Sequence, residues 1–363
     1  MSTLAARGVV VRSPKAPPVV EEIELDAPGP GEVRVRVVAT GVCHSDLHAQ
    51  RGDFGKEFPY LLGHEATGVV EALGEGVRGL SAGQSVVLTW RAPCGACRFC
   101  VAGDPASCAR PTVAGPRMRT RDGQPLGRVL GLGTFATHTV VAAAQCVPVA
   151  PELSPAAMCL VGCAVATGVG AVLNTARVEP GATVAVFGCG AVGACVILGA
   201  RLVNASRIVA VDVAPRKLEW ARTLGATDVV DARAEDPTRR VRELLGGAGA
   251  RYAFEAVGLP ETLAAALGSL DLGGRCVLIG VPVPGARLEL PLGRFFYGRQ
   301  TLTTTFGGDC VPVRDFQRFA SWYRSGALDL DALVTRTITL DDVPEAFAAM
   351  ERGEVLRSVI RMA

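Results

Sequence analysis

From about residue 165 the chain alternates short apolar runs with helical stretches, and this rhythm constrains its fold more than any other feature. "ATVAVFG" (182–188) reads as a buried strand and "AVGACVILGARLV" (191–203) as an apolar helix. "RIVAVD" (207–212) is the next strand, and "PRKLEWARTLGA" (215–226) is a helix opened by proline. Further strands are expected at 228–231, 251–258, 274–281 and 300–306. Six strands with crossover helices lead to an α/β fold, a parallel doubly wound Rossmann sheet with helices on both faces.

The first strand-to-helix turn reads "GCGAVG", Gly188 to Gly193. Taken alone it is weak evidence in a chain with 43 glycines, where a plain strand-to-helix turn accounts for it. Its context is that of a dinucleotide site: a strand before, a helix after, and Asp212 closing the next strand about 20 residues on. Gly188 permits the tight turn, Gly190 admits a pyrophosphate to the backbone, and Gly193 lets helix and strand pack closely. The helix N-terminus offers free N–H groups to the phosphates. Asp212 would accept hydrogen bonds from the ribose hydroxyls, and its charge would repel a 2′-phosphate, so NAD is expected over NADP. Arg216 lies close enough to blur that preference.

Residues 1 to about 160 have a different texture. "GEVRVRVVATGV" (31–42) alternates valine with arginine and reads as a half-buried strand, as do "ATGVVEALGEGV" and "GQSVVLTW". This half is expected to be β-rich and loop-rich. Two helical stretches around 313–325 and 342–351, then a strand "RSVIRM", end the chain.

Composition limits the function classes. The net charge of +2 gives no electrostatic footprint for nucleic acid or an acidic membrane. No signal peptide and no run of about 18 apolar residues is seen, so a cytoplasmic protein without a membrane span is expected. Structural disulfides are rare in that reducing compartment, and twelve cysteines need another use. Cys195 and Cys276, inside apolar segments, read as small buried hydrophobes.

Four cysteines fall within "CGACRFCVAGDPASC", residues 94 to 108. Cys94, Cys97, Cys100 and Cys108 form a compact four-thiolate set that suits a closed tetrahedral zinc site. An iron–sulfur cluster is the second reading of that spacing. A redox pair is the third, although it leaves two cysteines idle. A more dispersed group comprises Cys43, His64 and Cys163. Each alone reads equally as a packed core residue. Yet three of the chain's four histidines, His44, His48 and His64, lie between residues 43 and 65, which packing does not explain.

These motifs, in this order, resemble the zinc-dependent medium-chain alcohol dehydrogenase family. The resemblance runs end to end: Cys43, "GHE" at 63–65, the four-cysteine stretch, "GCAVATG" at 162–168, "GCGAVG", Asp212 and "GEVLRSVI". It implies a GroES-like catalytic domain over residues 1–164 and 307–363, carrying a structural zinc lobe at 94–108. A Rossmann NAD-binding domain would span 165–306, with the active site in the cleft between the two domains. Two zinc ions per chain are implied. Cys43, His64 and Cys163 would hold the catalytic one, with a fourth position open, and Glu65 lies near the metal in the family. Asp46 would orient the His64 ring.

The resemblance further implies hydride transfer between an alcohol carbon and NAD, with zinc lowering the alcohol's pKa. Ser45 would accept the proton and His48 would pass it to water. His44 and Arg357 match phosphate-binding positions, Thr167 and Val192 would border the nicotinamide, Lys217 would lie by the adenosine ribose, and Val281 would also bind the coenzyme. Phe54, Trp90 and Phe135 match positions lining the substrate pocket. Cys163, where sorbitol-dehydrogenase-like relatives carry glutamate, favours the alcohol dehydrogenase branch.

The expected substrate is a primary or aromatic alcohol or aldehyde. Two other activities on the same fold stand beside it. One is oxidation of an S-(hydroxymethyl) adduct of glutathione or mycothiol, and the other is biosynthetic reduction of an aldehyde, imine or conjugated alkene. A zinc-stabilised binding protein without catalysis is the reading from another class. Glutathione-linked members use an arginine soon after the last lobe cysteine. Here Thr112 stands four residues after Cys108, with Arg110 before it, while Arg117, Arg119 and Arg121 follow as candidates for an anionic substrate or as a solvated loop. A homodimer or homotetramer is expected, through the edge strand near "QTLTTTF".

Overall fold

The alternating valine segments become strands, and the computed structural model describes residues 3–55 and 58–362. In chain order the N-terminal strands are β1 (Leu4–Val11), β2 (Val19–Leu25), β3 (Glu32–Gly41), β4 (Tyr60–Leu61) and β5 (Ala66–Leu73). They continue with β6 (Ser85–Leu88), β7 (Met118–Thr120), β8 (Gly127–Arg128), β9 (His138–Ala142) and β10 (Cys146–Pro148). The parallel segment supplies β11 (Thr183–Phe187), β12 (Arg207–Asp212), β13 (Asp228–Asp231), β14 (Ala250–Glu255), β15 (Leu270–Leu278) and β16 (Thr301–Thr304). Last come β17 (Val334–Ile338) and β18 (Arg357–Arg361).

The chain divides into two compact units. One comprises Met1–Cys163, Val311–Gly326 and Leu330–Ala363, the other Ala164–Cys310 and Ala327–Asp329. Among the described residues the first unit holds a five-stranded sheet, β7-β2-β1-β4-β8, and a seven-stranded one, β10-β6-β5-β3-β18-β17, with β9 also on β3. β3 shows why. Val33, Val35 and Val37 face the core and are fully or almost fully buried, while Arg34 turns outward to Glu71 at 2.7 Å. This is the half-buried alternation of an antiparallel sheet.

The second unit carries a six-stranded sheet in the order β13-β12-β11-β14-β15-β16, parallel throughout. Counted from β11 this is 3-2-1-4-5-6, the doubly wound order. Its core packs Phe187, Val209, Val211, Ala253 and Leu267. Cys195 and Cys276 are fully buried there. β15 begins at Leu270, earlier than the apolar run at 274–281 indicates, because Gly273 and Gly274 interrupt the pattern without ending the strand. Among the described residues no single helix is long and apolar enough to cross a membrane.

The fold brings two backbone segments together around the helix His44–Arg51. Cys43 is its N-cap, and Asp46 closes the cap by accepting from the Cys43 N–H at 3.1 Å. Gly52, at φ 86°, ends the helix in the left-handed conformation.

In the second unit the turn after β11 is equally tight. Gly188 has φ 90°, and a Cβ on Gly193 would run into the Gly188 carbonyl. Gly193→Ala must therefore push the helix Ala191–Leu202 off the strand. We expect a loss of about 1–3 kcal/mol, the usual cost of overpacking, read as a lower urea midpoint at unchanged slope.

Candidate active site

Cys43, His64 and Cys163 arrive from three places: the helix cap, the connection between β4 and β5, and the end of the short 3-10 turn Cys159–Gly162. Their donor atoms all lie within 4.8 Å of one another. His64 is fully buried, and Cys43 and Cys163 nearly so. A buried carboxylate sets their geometry. Asp46 Oδ1 accepts from His64 Nδ1 and from the Gly63 N–H, each at 3.0 Å, while Oδ2 holds the Cys43 N–H. With Nδ1 committed, Nε2 is left buried and without a hydrogen-bond partner. An orphaned ring nitrogen among sulfurs is costly unless something else binds it.

The electrostatics point the same way. The hydrogen bond with Cys163 pulls the Cys43 thiol well below its usual pKa against the cost of burial, helped by Arg357 and His64. The same bond and burial push Cys163 well up. Burial alone would lower His64, but Asp46 and Cys43 overcome it and hold the imidazole well above its ordinary value. Cys43 is thus the side chain most disposed to be a thiolate, and a dication would be needed to bring Cys163 to the same state. Tetrahedral zinc, with bonds of about 2.0–2.3 Å, sets its donors roughly 3.5–4 Å apart, and this donor set fits it.

Glu65 is fully buried beside the triad. Arg357 is 3% exposed, with its Nε 3.4 Å from Glu65 Oε2 and its NH1 donating to the Val42 carbonyl at 2.7 Å. The buried Glu65 charge demands a cation, and Arg357 is turned inward to supply it.

Ser45 is half-buried, with Oγ 3.9 Å from Cys43 Sγ. His48, one turn along the helix, is partly exposed, and its Nδ1 lies 2.7 Å from Asp53 Oδ2. Sequence reasoning missed Asp53, although a carboxylate five residues from a histidine across a helix end was a usable signal. His44 is exposed. Among the aromatics, Phe54 is 46% exposed with its ring 6.2 Å from that of His48, and Trp90 is half-buried. Phe135 is fully buried in the core with Val9, Leu62 and Phe347. Its ring packs against Gly63, where a Cβ would meet it.

The four lobe cysteines form a second cluster. Their sulfurs lie within 4.8 Å of one another, with Cys97 Sγ 3.6 Å from Cys100 Sγ and 3.9 Å from Cys108 Sγ. All are free thiols. Such spacing cages a single ion, whereas a multi-iron cluster spreads its thiolates over different irons. The N–H groups of Cys94 and Cys97 point at Cys108 and Cys94 sulfurs, each at 3.3 Å. Backbone N–H groups pull Cys97 down to about 6, while burial and Cys97 push Cys100 up to about 12. Four thiolates therefore coexist only around a cation.

In the second unit Gly190 faces open space where any Cβ would stand, beside the N-terminus of the helix Ala191–Leu202. Asp212 is nearly buried. Its Oδ2 accepts from the Cys189 N–H at 2.7 Å and its Oδ1 from Ala214 N–H at 2.9 Å. Asp212 thus clasps the glycine turn as well as facing it. Thr167, Val192 and Lys217 are half-buried, and Val281 is exposed. Arg216 lies over the Trp220 ring at 5.0 Å.

Arg117 and Arg119 are committed elsewhere. Arg117 pairs with Glu32 at 2.7 Å, and Arg119 with Glu24 and Asp26 at 2.9 and 2.6 Å. Arg121 lies 3.8 Å from Glu22.

Comparison with known proteins identifies the family. Residues 29–151 match the alcohol dehydrogenase GroES-like domain, and residues 191–325 match the zinc-binding dehydrogenase family. A relative from Escherichia coli O1:K1, S-(hydroxymethyl)glutathione dehydrogenase, is 38% identical over 99% of this chain and 100% of its own length. An alcohol dehydrogenase zinc-binding domain protein from Burkholderia ambifaria shares the fold at TM-score 0.94 and 33% identity, with both chains wholly covered. Benzyl alcohol dehydrogenase from Acinetobacter calcoaceticus does so at TM-score 0.93 and 28% identity, again over the full length of both. With these matches and the two thiolate clusters in place, the chain belongs to the zinc-dependent medium-chain alcohol dehydrogenase family.

Proposed function

We propose that the chain transfers hydride between NAD(H) and a primary or aromatic alcohol or its aldehyde. The observation carrying this reading is the buried Cys43–His64–Cys163 triad with its unpartnered His64 Nε2. These three residues would hold a catalytic zinc with a fourth coordination position open, and Cys94, Cys97, Cys100 and Cys108 a structural one. Bound zinc supplies a Lewis acid that makes an alcohol easier to deprotonate.

The chain's own residues do the rest. Asp46 fixes the His64 tautomer, so that Nε2 is the donor. Glu65, paired with Arg357, keeps a compensated carboxylate beside the thiolates. Ser45 Oγ both donates and accepts, so it can take a substrate proton and release it. His48 delivers that proton to solvent, with its Nδ1 held by Asp53 so that Nε2 is the exchanging atom. Gly188, Gly190 and Gly193 shape the coenzyme turn, and the Asp212 charge disfavours a 2′-phosphate. Residues 1–164 and 307–363 would form the catalytic domain and 165–306 the NAD-binding domain. Edge strand β16 would pair with a second copy in a homodimer or homotetramer.

A second reading is favoured by the relatives named S-(hydroxymethyl)glutathione dehydrogenase. Against it, Thr112 stands where an arginine is expected, and Arg117 and Arg119 already bind carboxylates.

Three outcomes test this account. With benzyl alcohol, short aliphatic alcohols and an S-hydroxymethyl thiol as substrates, absorbance at the NADH band should rise with benzyl alcohol and NAD, and more slowly with NADP. Turnover confined to the thiol adduct would select the second reading, and a flat response to every substrate would overturn both. Metal analysis should find two zinc ions per chain, one for each thiolate cluster, and Cys163→Ser should lose one of them together with turnover. Ser45→Ala should slow the hydride-transfer-limited rate by roughly 10²–10⁴-fold with both zinc ions retained.

A further inference from the structure

A polar cavity of about 450 Å³ opens at one end of the parallel sheet, among Arg177, Arg251, Arg275, Glu179, Asp309 and Tyr252. It lies at the end of the sheet opposite the coenzyme turn. The Gly188–Gly193 turn follows the C-terminal end of β11, whereas Arg251 is the second residue of β14 and its N–H donates to Thr183 Oγ1 at the first residue of β11. Coenzymes bind at the carboxyl ends of such strands, so this cavity is not part of that site.

Its cations outnumber its carboxylates, three guanidinium groups against Glu179 and Asp309. Three guanidinium groups line it, and among the described residues none of the three makes an ion pair with a carboxylate. Arg207, by contrast, pairs with Asp228 at 2.8 Å. Each of the three is instead steered by a neutral main-chain carbonyl. Arg251 NH1 donates to Gly273 O at 2.6 Å, Arg275 NH1 to Ala176 O at 3.0 Å, and Arg177 Nε to Asn174 O at 3.4 Å. A carbonyl orients a guanidinium without cancelling its charge, and the remaining N–H groups are left for a ligand at reduced ordering cost.

Local backbone geometry marks the same place. Arg177 and Asp309 hold φ values of 52° and 48°, in the left-handed region that side chains rarely adopt. Arg177 directly follows a π-helical turn, Ala171–Ala176, a form found mostly at functional positions. Asp309 accepts from Thr175 Oγ1 at 2.6 Å, which ties these two strained segments together.

We propose that this cavity binds a phosphate group. Guanidinium forks match phosphate oxygens in geometry and charge. The volume exceeds that of a bare phosphate and falls within the usual range for small-molecule sites. Tyr252 and Thr303 line it with hydroxyl-bearing side chains suited to a hydroxyl-bearing phosphate ester.

Zinc-loaded protein saturated with NADH, so that the coenzyme site is filled, would be titrated calorimetrically with inorganic phosphate and with ribose 5-phosphate. One phosphate group per chain should bind. Arg177→Gln with Arg251→Gln should weaken it at least tenfold, with NADH affinity unchanged. Tighter binding of ribose 5-phosphate would identify an ester as the ligand, and equal binding the free anion. No heat from either probe, or binding undiminished in the double variant, would overturn the proposal. Should the double variant misfold, Arg251→Gln alone, at an exposed side chain, gives the same reading with a weakening of several-fold.

Discussion

The first unit's chemistry depends on one buried carboxylate. Asp46 accepts three hydrogen bonds: from the Cys43 N–H, the Gly63 N–H and His64 Nδ1. In one residue it caps a helix, pins the connection between β4 and β5, and selects a histidine tautomer. A carboxylate with no exposure would be expensive without such company, and three charge-assisted bonds make it stable. The arrangement makes secondary structure and the cysteine–histidine cluster interdependent. The helix cannot fray at its start without releasing Cys43, and the ring of His64 cannot rotate without breaking the cap.

Two further buried charges follow the same logic. Glu65 and Arg357 lie against the thiolates as a pair, Arg357 tied also to the Val42 carbonyl. The residue before the donor Cys43 and the first residue of β18 are thereby joined. In the second unit Asp212 has a comparable double duty, because it anchors the N–H of Cys189 within the glycine turn while ending β12. In both units, carboxylates that bear on chemistry also hold the backbone that presents it.

Much of this was legible in the sequence. Strand and helix alternation after residue 165 stated the parallel sheet, because period and proline-marked helix starts are local signals. The clustering of histidines between 43 and 65 and the cysteine spacing at 94–108 brought out the donor sets. What local signals could not show was orientation. Arg357 is an arginine near the chain end until Glu65, nearly 300 residues earlier, is seen to face it. Phe135 looks like any aromatic until its ring is seen packed against Gly63. The arginines at 117 and 119 resembled free cations because their partners, Glu32, Glu24 and Asp26, lie on or beside strands distant in sequence. Long-range pairing of charges is a property of the fold, and the sequence carries it only implicitly.

The position of β18 has a consequence for how the protein comes into being. β18 lies antiparallel on β3 and parallel to β17, so the seven-stranded sheet joins residues from the two extremes of the chain. Arg357 is its first residue. A nascent chain therefore emerges with its whole parallel sheet, β11 to β16, available to fold while the sheet that bears Cys43 still lacks a member. Until β18 is made, the unit carrying Cys43 and His64 lacks an inner strand of its larger sheet, and Glu65 lacks Arg357 beside it. Synthesis order thus makes this unit the later of the two to close, and β18, set between β3 and β17, is an inner strand and not a tail.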